Sequence, residues 1–101
     1  MDTTQLLTDA KARFSHNSAK AYLNDKYSSK LIIAEQGGLW TAAPALITFL
    51  HSMPGKTLVV IDNFDNPVAV DRKMLLDKLR ETYTGTMTAW HSEWQQLESK
   101  R

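Results

Sequence analysis

The stretch VVIDNFDNPVAVDR, residues 59–72, decides the fold because its pattern predicts two strands joined by a turn and followed directly by a helix. It continues the β-branched run TLVVID, residues 57–62, and VAV at 68–70 supplies the antiparallel partner. Asn and Asp side chains bond to their own backbone in turns, and Pro67 cannot continue a central ladder. Asp71 then stands where the N-cap of the last helix is expected.

The acids of this stretch raise the alternative of a metal loop. A calcium loop of the helix-loop-helix type takes oxygen ligands at alternating positions, a glycine at the sharp turn and a distal glutamate. Counting from Asp62 places Phe64 at a ligand position and Pro67 near the place of the glycine, and no glutamate closes the loop. The spacing favours a hairpin turn, and we expect neither a metal nor a cofactor.

A second strand-turn-strand pattern, KLIIAEQGGLWTA at residues 30–42, precedes the first. Gly37 and Gly38 are expected to supply the positive φ that a tight hairpin requires. Thr41 is expected to cap a short helix that carries Pro44 in its first turn, where proline is tolerated. The hairpin-plus-helix unit therefore occurs twice along the chain.

Long helices are predicted at both ends, over residues 3–25 and about 72–98. Thr3 or Thr4 can cap the first helix, whose apolar face is expected to follow a spacing of three and four residues: Leu7, Ala10, Phe14, Asn17 and Ala21. The last helix carries a longer seam of the same spacing: Leu76, Leu79, Tyr83, Met87, Trp90, Trp94 and Leu97. Gly85 and its neighbouring threonines are poor helix formers and leave open a bend in this helix.

The length, the composition and the order of predicted elements fit one α+β domain over residues 1–101. Its predicted order is helix, hairpin, helix, hairpin, helix, with a small antiparallel sheet and helices packed on one face. The apolar fraction of 43% is sufficient for a core, and the net charge of +1 disfavours a dedicated nucleic-acid binder. The absence of cysteine excludes disulfides and thiolate metal sites. No run is long and apolar enough to span a bilayer, and the start does not resemble a signal peptide, so we expect a cytoplasmic protein.

No catalytic motif is present, and we expect the protein not to be an enzyme. The histidines His16, His51 and His91 each stand alone in their elements, without a second ligand at metal-binding spacing. One alternative stays open: Glu35 and Asp62 can form an acidic pair if the two hairpins are neighbours.

The aromatic end of the last helix is the best candidate for a partner interface, formed by Tyr83, Met87, Trp90, Trp94 and Leu97. A helix of 27 residues is about 40 Å long, whereas a compact domain of this size has a radius of gyration of about 13 Å. Unless the first helix runs along its whole length, the end of the last helix overhangs and exposes an apolar patch. The alternative is that these side chains form a core face against the first helix and the sheet.

Three segments carry a resemblance to a known group: HNSAKAYLNDKYSSKLIIAEQGGLWTAAPALITFL at 16–50, IDNFDNPVAV at 61–70 and MTAWHSEWQQLESKR at 87–101. The chain resembles, over residues 10–101, small functionally unassigned proteins of T-even-like contractile-tailed phages, the cyanophage type in particular. The resemblance implies action in the cytoplasm of an infected bacterium, in the virion and its assembly or on host machinery. It implies no site residues.

The sequence thus predicts a non-enzymatic protein-protein interaction protein, a small phage structural or assembly component that binds a protein partner or itself through the C-terminal helix. The alternative is a small regulator that binds and inhibits a host protein or nucleic acid. Its candidate contacts are cations of the first helix and its exit: Lys11, Arg13, Lys20, Lys26 and Lys30.

Overall fold

The computed structural model describes the backbone of residues 3–100 and the side chains of residues 15–100. Its elements are α1 (Thr3–Lys30), β1 (Ile32–Glu35), β2 (Gly38–Thr41), α2 (Pro44–Ser52), β3 (Thr57–Ile61), β4 (Pro67–Asp71) and α3 (Arg72–Ser99). The predicted α+β class and the long C-terminal helix are confirmed. α3 runs without interruption through Gly85.

The prediction of one small sheet is wrong, because each hairpin forms its own two-stranded antiparallel sheet. The hairpins are joined at β2 through the loop after β3. The Leu39 N–H donates to the Asp62 carboxylate at 3.1 Å, and the Asn63 N–H donates to the Leu39 carbonyl at 2.8 Å. The Gln36 side-chain amide adds a second link by accepting from Asp71 N at 2.6 Å and donating to Asp71 O at 3.2 Å. Side-chain hydrogen bonds, together with the backbone hydrogen bond from Asn63 to Leu39, therefore join the two hairpins in place of a strand-to-strand ladder.

The core lies in a head formed by the two hairpins, α2 and the first turns of α3. Its buried side chains are Trp40, Ala42, Leu50, Val60, Val70, Leu75, Leu76 and Leu79. In the second hairpin the buried residues alternate with exposed ones, as expected for a sheet with one solvent-facing side. The inner face of β3 and β4 meets the helices.

The first hairpin turns through Gln36 and Gly37, which have φ of 50° and 81°. The prediction that Gly38 also supplies a positive φ is wrong. Gly38 begins β2, and its missing side chain makes room for the buried Trp40 ring, whose Cζ2 would lie 2.6 Å from an added Cβ. Trp40 Nε1 donates to the Glu35 carbonyl at 2.8 Å, so the indole closes the hairpin over its own turn.

The two predicted helix caps have different outcomes. Asp71 is the N-cap of α3, and its carboxylate accepts from Met74 N at 3.1 Å, which confirms that prediction. The prediction for Thr41 is wrong: Thr41 belongs to β2, and the N-cap of α2 is Ala43, which has no side-chain acceptor. Pro44 occupies the first helical position, where its missing N–H is tolerated.

Beyond the head, α1 and α3 form an antiparallel two-helix stalk. His16 Nε2 lies 3.4 Å from Glu98 Oε1, whereas Tyr27 meets Trp90 ring to ring, so residue numbers rise along one helix as they fall along the other. The molecule measures 66 × 24 × 19 Å, and its radius of gyration of 19.4 Å exceeds the value of about 13 Å for a compact domain of this length.

The prediction of the apolar face of α1 is wrong for the residues whose side chains the structure describes. Asn17 and Ala21 are exposed, and Leu7, Ala10 and Phe14 lie outside the described side chains, as do the cap candidates Thr3 and Thr4. The side that meets α3 carries Leu23 and Tyr27, both buried. α1 also extends five residues past its predicted end, to Lys30 rather than residue 25.

Candidate functional site

The outer part of α3 is apolar along one side but poorly covered. Its buried residues Leu75, Leu76 and Leu79 all lie in the head, and no side chain from residue 80 to 100 is buried. Four of the predicted interface residues, Tyr83, Met87, Trp90 and Leu97, are half-buried, and the fifth, Trp94, is 39% exposed. The structure therefore places all five on one helix with part of each side chain open.

The overhang expected from the sequence is covered on one side, because α1 runs beside α3 as far as Glu98. Trp90 stacks on the Tyr27 ring with centroids 5.9 Å apart and planes 12° from parallel. Trp94 stacks on His91 of its own helix at 6.1 Å and 15°. Trp90 is thus held against the neighbouring helix, whereas Trp94 has its contact within α3 and stays accessible.

A polar cluster fixes the two helices beside these rings. Lys26 Nζ donates to Glu93 Oε1 at 2.7 Å, and the Tyr27 hydroxyl donates to the same oxygen. The ammonium groups of Lys26 and Lys30 lie 5.1 and 5.0 Å from the Tyr27 ring centroid, within the range of cation–π attraction. We define Lys26, Tyr27, Lys30, Trp90 and Glu93 as the stalk cluster.

The ionisation of the stalk cluster follows from these bonds. The Lys26 ammonium, and then the Tyr27 hydroxyl, lower the pKa of Glu93 below its ordinary 4.5. The hydrogen bond to Glu93 raises the pKa of Lys26, and the same acceptor raises the pKa of Tyr27. Glu93 is therefore charged and both donors are protonated at neutral pH, which fixes the mutual position of the helices.

The stalk cluster was not predicted from the sequence. Leu23 and Tyr27 are four residues apart, and such a pair marks a helix face, but the pair competed with the equally spaced Asn17 and Ala21. Lys26 and Glu93 are 67 residues apart in sequence, and only the pairing of α1 with α3 shows that they lie opposite each other.

The acidic turn of residues 62–66 is the second place that the sequence marked for chemistry. Asp62 is the buried polar residue of the described chain, and its carboxylate accepts from Phe64 N and Asn66 N at 3.0 Å in addition to Leu39 N. The Asn66 N–H, followed by the other two, lowers the pKa of Asp62 below its ordinary 3.8 against the opposing effect of burial. Asp65 adopts the left-handed φ of 63° that the turn needs.

Glu35 and Asp62 line the same open groove of about 430 Å³ between the tips of the hairpins. The geometry gives Asp62 a structural role, because both of its oxygens are occupied by backbone donors and its pKa moves away from that of a general acid.

The remaining candidates lie at separate places. His51 Nδ1 lies 3.0 Å from Arg80 in the head, His91 stacks on Trp94, and His16 meets Glu98 near the end of the stalk. Among residues 15–100, no three His, Asp or Glu side chains converge as metal ligands would.

The cations of the alternative hypothesis, a regulator that binds a host protein or nucleic acid, have different surroundings. Lys26 is bound to Glu93 and Lys30 lies over the Tyr27 ring, whereas Lys20 is exposed. Lys11 and Arg13 lie outside the described side chains.

No protein-family model, curated protein or solved structure matches the chain. Within the part of the chain that the structure describes, no helix has the length and apolar character required to cross a bilayer.

Proposed function

We propose that the chain is a non-enzymatic interaction protein that self-associates through the open side of its stalk. The anchor is the accessible Trp94. The exposed parts of Trp90, Leu97, Met87 and Tyr83 are in support, although Trp90 also stacks on Tyr27 and Tyr83 also packs against the head core. The observation that carries the proposal is that the aromatic seam of α3 continues from residue 80 to residue 100 while no side chain there is buried.

Helices in proteins depend on tertiary packing for most of their stability. In a two-helix stalk each helix has one neighbour, which leaves Trp94 and the outer edges of the half-buried seam in water. A second stalk packed on this side gives a four-helix arrangement, in which such positions form a core. Tryptophan is among the residues that dominate binding energy at interfaces.

The resemblance to small proteins of T-even-like phages supports a role in a phage particle or its assembly, as part of the same proposal. An elongated molecule of 66 Å with an interactive stalk suits a structural or assembly component. The alternative regulator that binds a host protein or nucleic acid has less support, since Lys26 and Lys30, two of its candidate contacts, are occupied within the stalk cluster.

The test is light scattering behind size exclusion on wild type, Trp94→Glu and Phe49→Glu over about a hundredfold concentration range. Phe49 is the matched control, because it is an aromatic residue of similar exposure, 42%, on α2 in the head. We expect Trp94→Glu to weaken association at least about 30-fold, the effect of losing an interface hot spot. Phe49→Glu should associate like the wild type.

Circular dichroism provides the control for folding, since both substituted side chains are accessible and neither variant should unfold. Association that is equally strong in Trp94→Glu and wild type would place the contact elsewhere. A wild type that stays monomeric at the highest concentration would reject self-association through the stalk.

A further inference from the structure

The strand β3 has an unpaired edge on the head, distant from the stalk. Asp62 N donates to Asn66 O at 2.9 Å and Arg72 N to Lys56 O at 2.8 Å, at the two ends of the hairpin. Hydrogen-bonded pairs alternate along an antiparallel ladder, so the N–H and C=O groups of Thr57, Val59 and Ile61 point away from β4. In the described residues, no other element bonds to them.

The edge of β4, in contrast, is protected. Gln36 occupies both backbone groups of Asp71, and Pro67 has no N–H to offer. Natural proteins protect sheet edges by such covering, by proline or by charge. β3 has none of these devices, since its sequence TLVVI contains neither proline nor a charged residue.

The side chains next to the free edge are apolar and exposed. Val59 is 62% exposed and Ile61 is 58% exposed. An exposed β-branched strand with free backbone groups is the geometry that a further strand recognises.

We propose that the free edge of β3 pairs with β3 of a second copy, antiparallel and centred on Val59, to give a four-stranded sheet that spans two molecules. Antiparallel pairing about a two-fold axis sets Val59 opposite Val59 of the second copy and Thr57 opposite Ile61. Each of these pairs exchanges two hydrogen bonds through the outward groups.

The charges at the ends of the strand select this partner and this direction. Exposed Lys56 precedes β3, and the acidic turn with Asp62 and Asp65 follows it. In the antiparallel register Lys56 lies opposite the start of the acidic turn of the other copy at both ends. The Asp62 carboxylate is buried and held by backbone donors, so Asp65 is the accessible carboxylate of that turn. A parallel pairing would set Lys56 against Lys56, and like charges directly opposite are unfavourable.

Disulfide trapping tests the register, and the chain suits it because it contains no cysteine. The variants Val59→Cys and Thr57→Cys are made in a Trp94→Glu background, so that stalk association does not contribute. The Cα atoms of a hydrogen-bonded pair lie about 5.5 Å apart, within the range of disulfides. In this register Thr57 of one molecule lies four residues, about 13 Å, from Thr57 of the other molecule along the paired strands, which is too far for a disulfide.

We expect Val59→Cys to form a disulfide-linked dimer on mild oxidation, whereas Thr57→Cys alone should form no disulfide link between copies. A mixture of Thr57→Cys and Ile61→Cys chains should link to each other. Equal linking of Val59→Cys and Thr57→Cys would indicate random collision and would overturn the proposal, as would a Val59→Cys chain that stays monomeric.

Proline substitution gives an independent measurement without cysteine. Val59→Pro removes an outward N–H and leaves the internal ladder intact, since proline is accepted at such edge positions. Ala69→Pro, at the direct cross-strand partner, is the matched control on the protected edge. Loss of two hydrogen bonds at the axis should weaken the β3 pairing about 30-fold in Val59→Pro. The same weakening in Ala69→Pro would contradict pairing through β3.

Discussion

The contact between Gly38 and Trp40 gives the sharpest test of how the first hairpin is built. A methyl group added at Gly38 would lie 2.6 Å from Trp40 Cζ2 and 2.9 Å from Trp40 Cε2. Trp40 is only 1% exposed, and its Nε1 is bonded to the Glu35 carbonyl, so the indole cannot withdraw. We therefore expect Gly38→Ala to destabilise the protein.

The magnitude follows from two opposing effects. Overpacking of a filled core costs about 1–3 kcal/mol. Replacing glycine restricts the unfolded chain and returns about 0.4–1 kcal/mol. The net loss at Gly38 is about 1–2 kcal/mol, which lowers the Tm of a chain of this size by roughly 5–15 °C.

Gly85 provides the matched control, since a methyl group there meets no atom within 4 Å. In the interior of α3, Gly85→Ala should stabilise the protein by about 0.8–1 kcal/mol through helix propensity. Urea and thermal unfolding followed by far-ultraviolet circular dichroism measure both variants. The same substitution thus has opposite signs at the two glycines.

A double-mutant cycle identifies the cause. In a Trp40→Phe background the indole atoms nearest to the new methyl are gone, so Gly38→Ala should become neutral or stabilising, with a coupling of about 1–3 kcal/mol. If Gly38→Ala costs the same in both backgrounds, its effect does not come from the indole contact and the account of this hairpin fails.

Three further predictions concern single polar groups. Because the pKa of Asp62 is lowered in the folded protein, the stability that its carboxylate contributes is present above pH 3.8 and is lost as the pH falls through the folded pKa. The urea midpoint of the wild type should therefore fall over this acid range, and the midpoint of Asp62→Asn should lack this contribution to the fall. Glu93→Gln should remove the charge that holds Lys26, and hydrogen exchange should accelerate in the stalk while the head is unchanged. Asp71→Ala should cost about 1 kcal/mol in urea unfolding through loss of the α3 cap, whereas Asp77→Ala on the exposed helix surface should not.

Local features were predictable from the sequence because they depend on neighbouring residues. The turn after β3, the Asp71 cap and the start of the α3 seam at Leu76 and Leu79 all follow from short-range patterns. These features determine the secondary structure on each side of the acidic turn between β3 and β4.

Features that depend on distant residues were not predictable. The contact face of α1 is selected by Glu93 and Trp90, which bind Tyr27 across the stalk, and nothing near Asn17 indicates this. The separation of the two sheets also depends on residues that are distant in sequence. The Asp62 carboxylate accepts the Leu39 N–H that a neighbouring strand would otherwise bind, so the edge of β2 ends in a side chain.

The acidic turn therefore has a consequence for assembly as well as for folding. By drawing the first hairpin onto the β4 side, Asp62 and Gln36 leave β3 as the free edge of the head, while the open side of the stalk lies on the other part of a 66 Å rod. Either pairing alone is isologous and closes into a dimer. If both proposed pairings form, each copy retains a free surface after the other is filled, and the assembly continues as an open chain unless the two two-fold axes intersect, in which case it closes with dihedral symmetry.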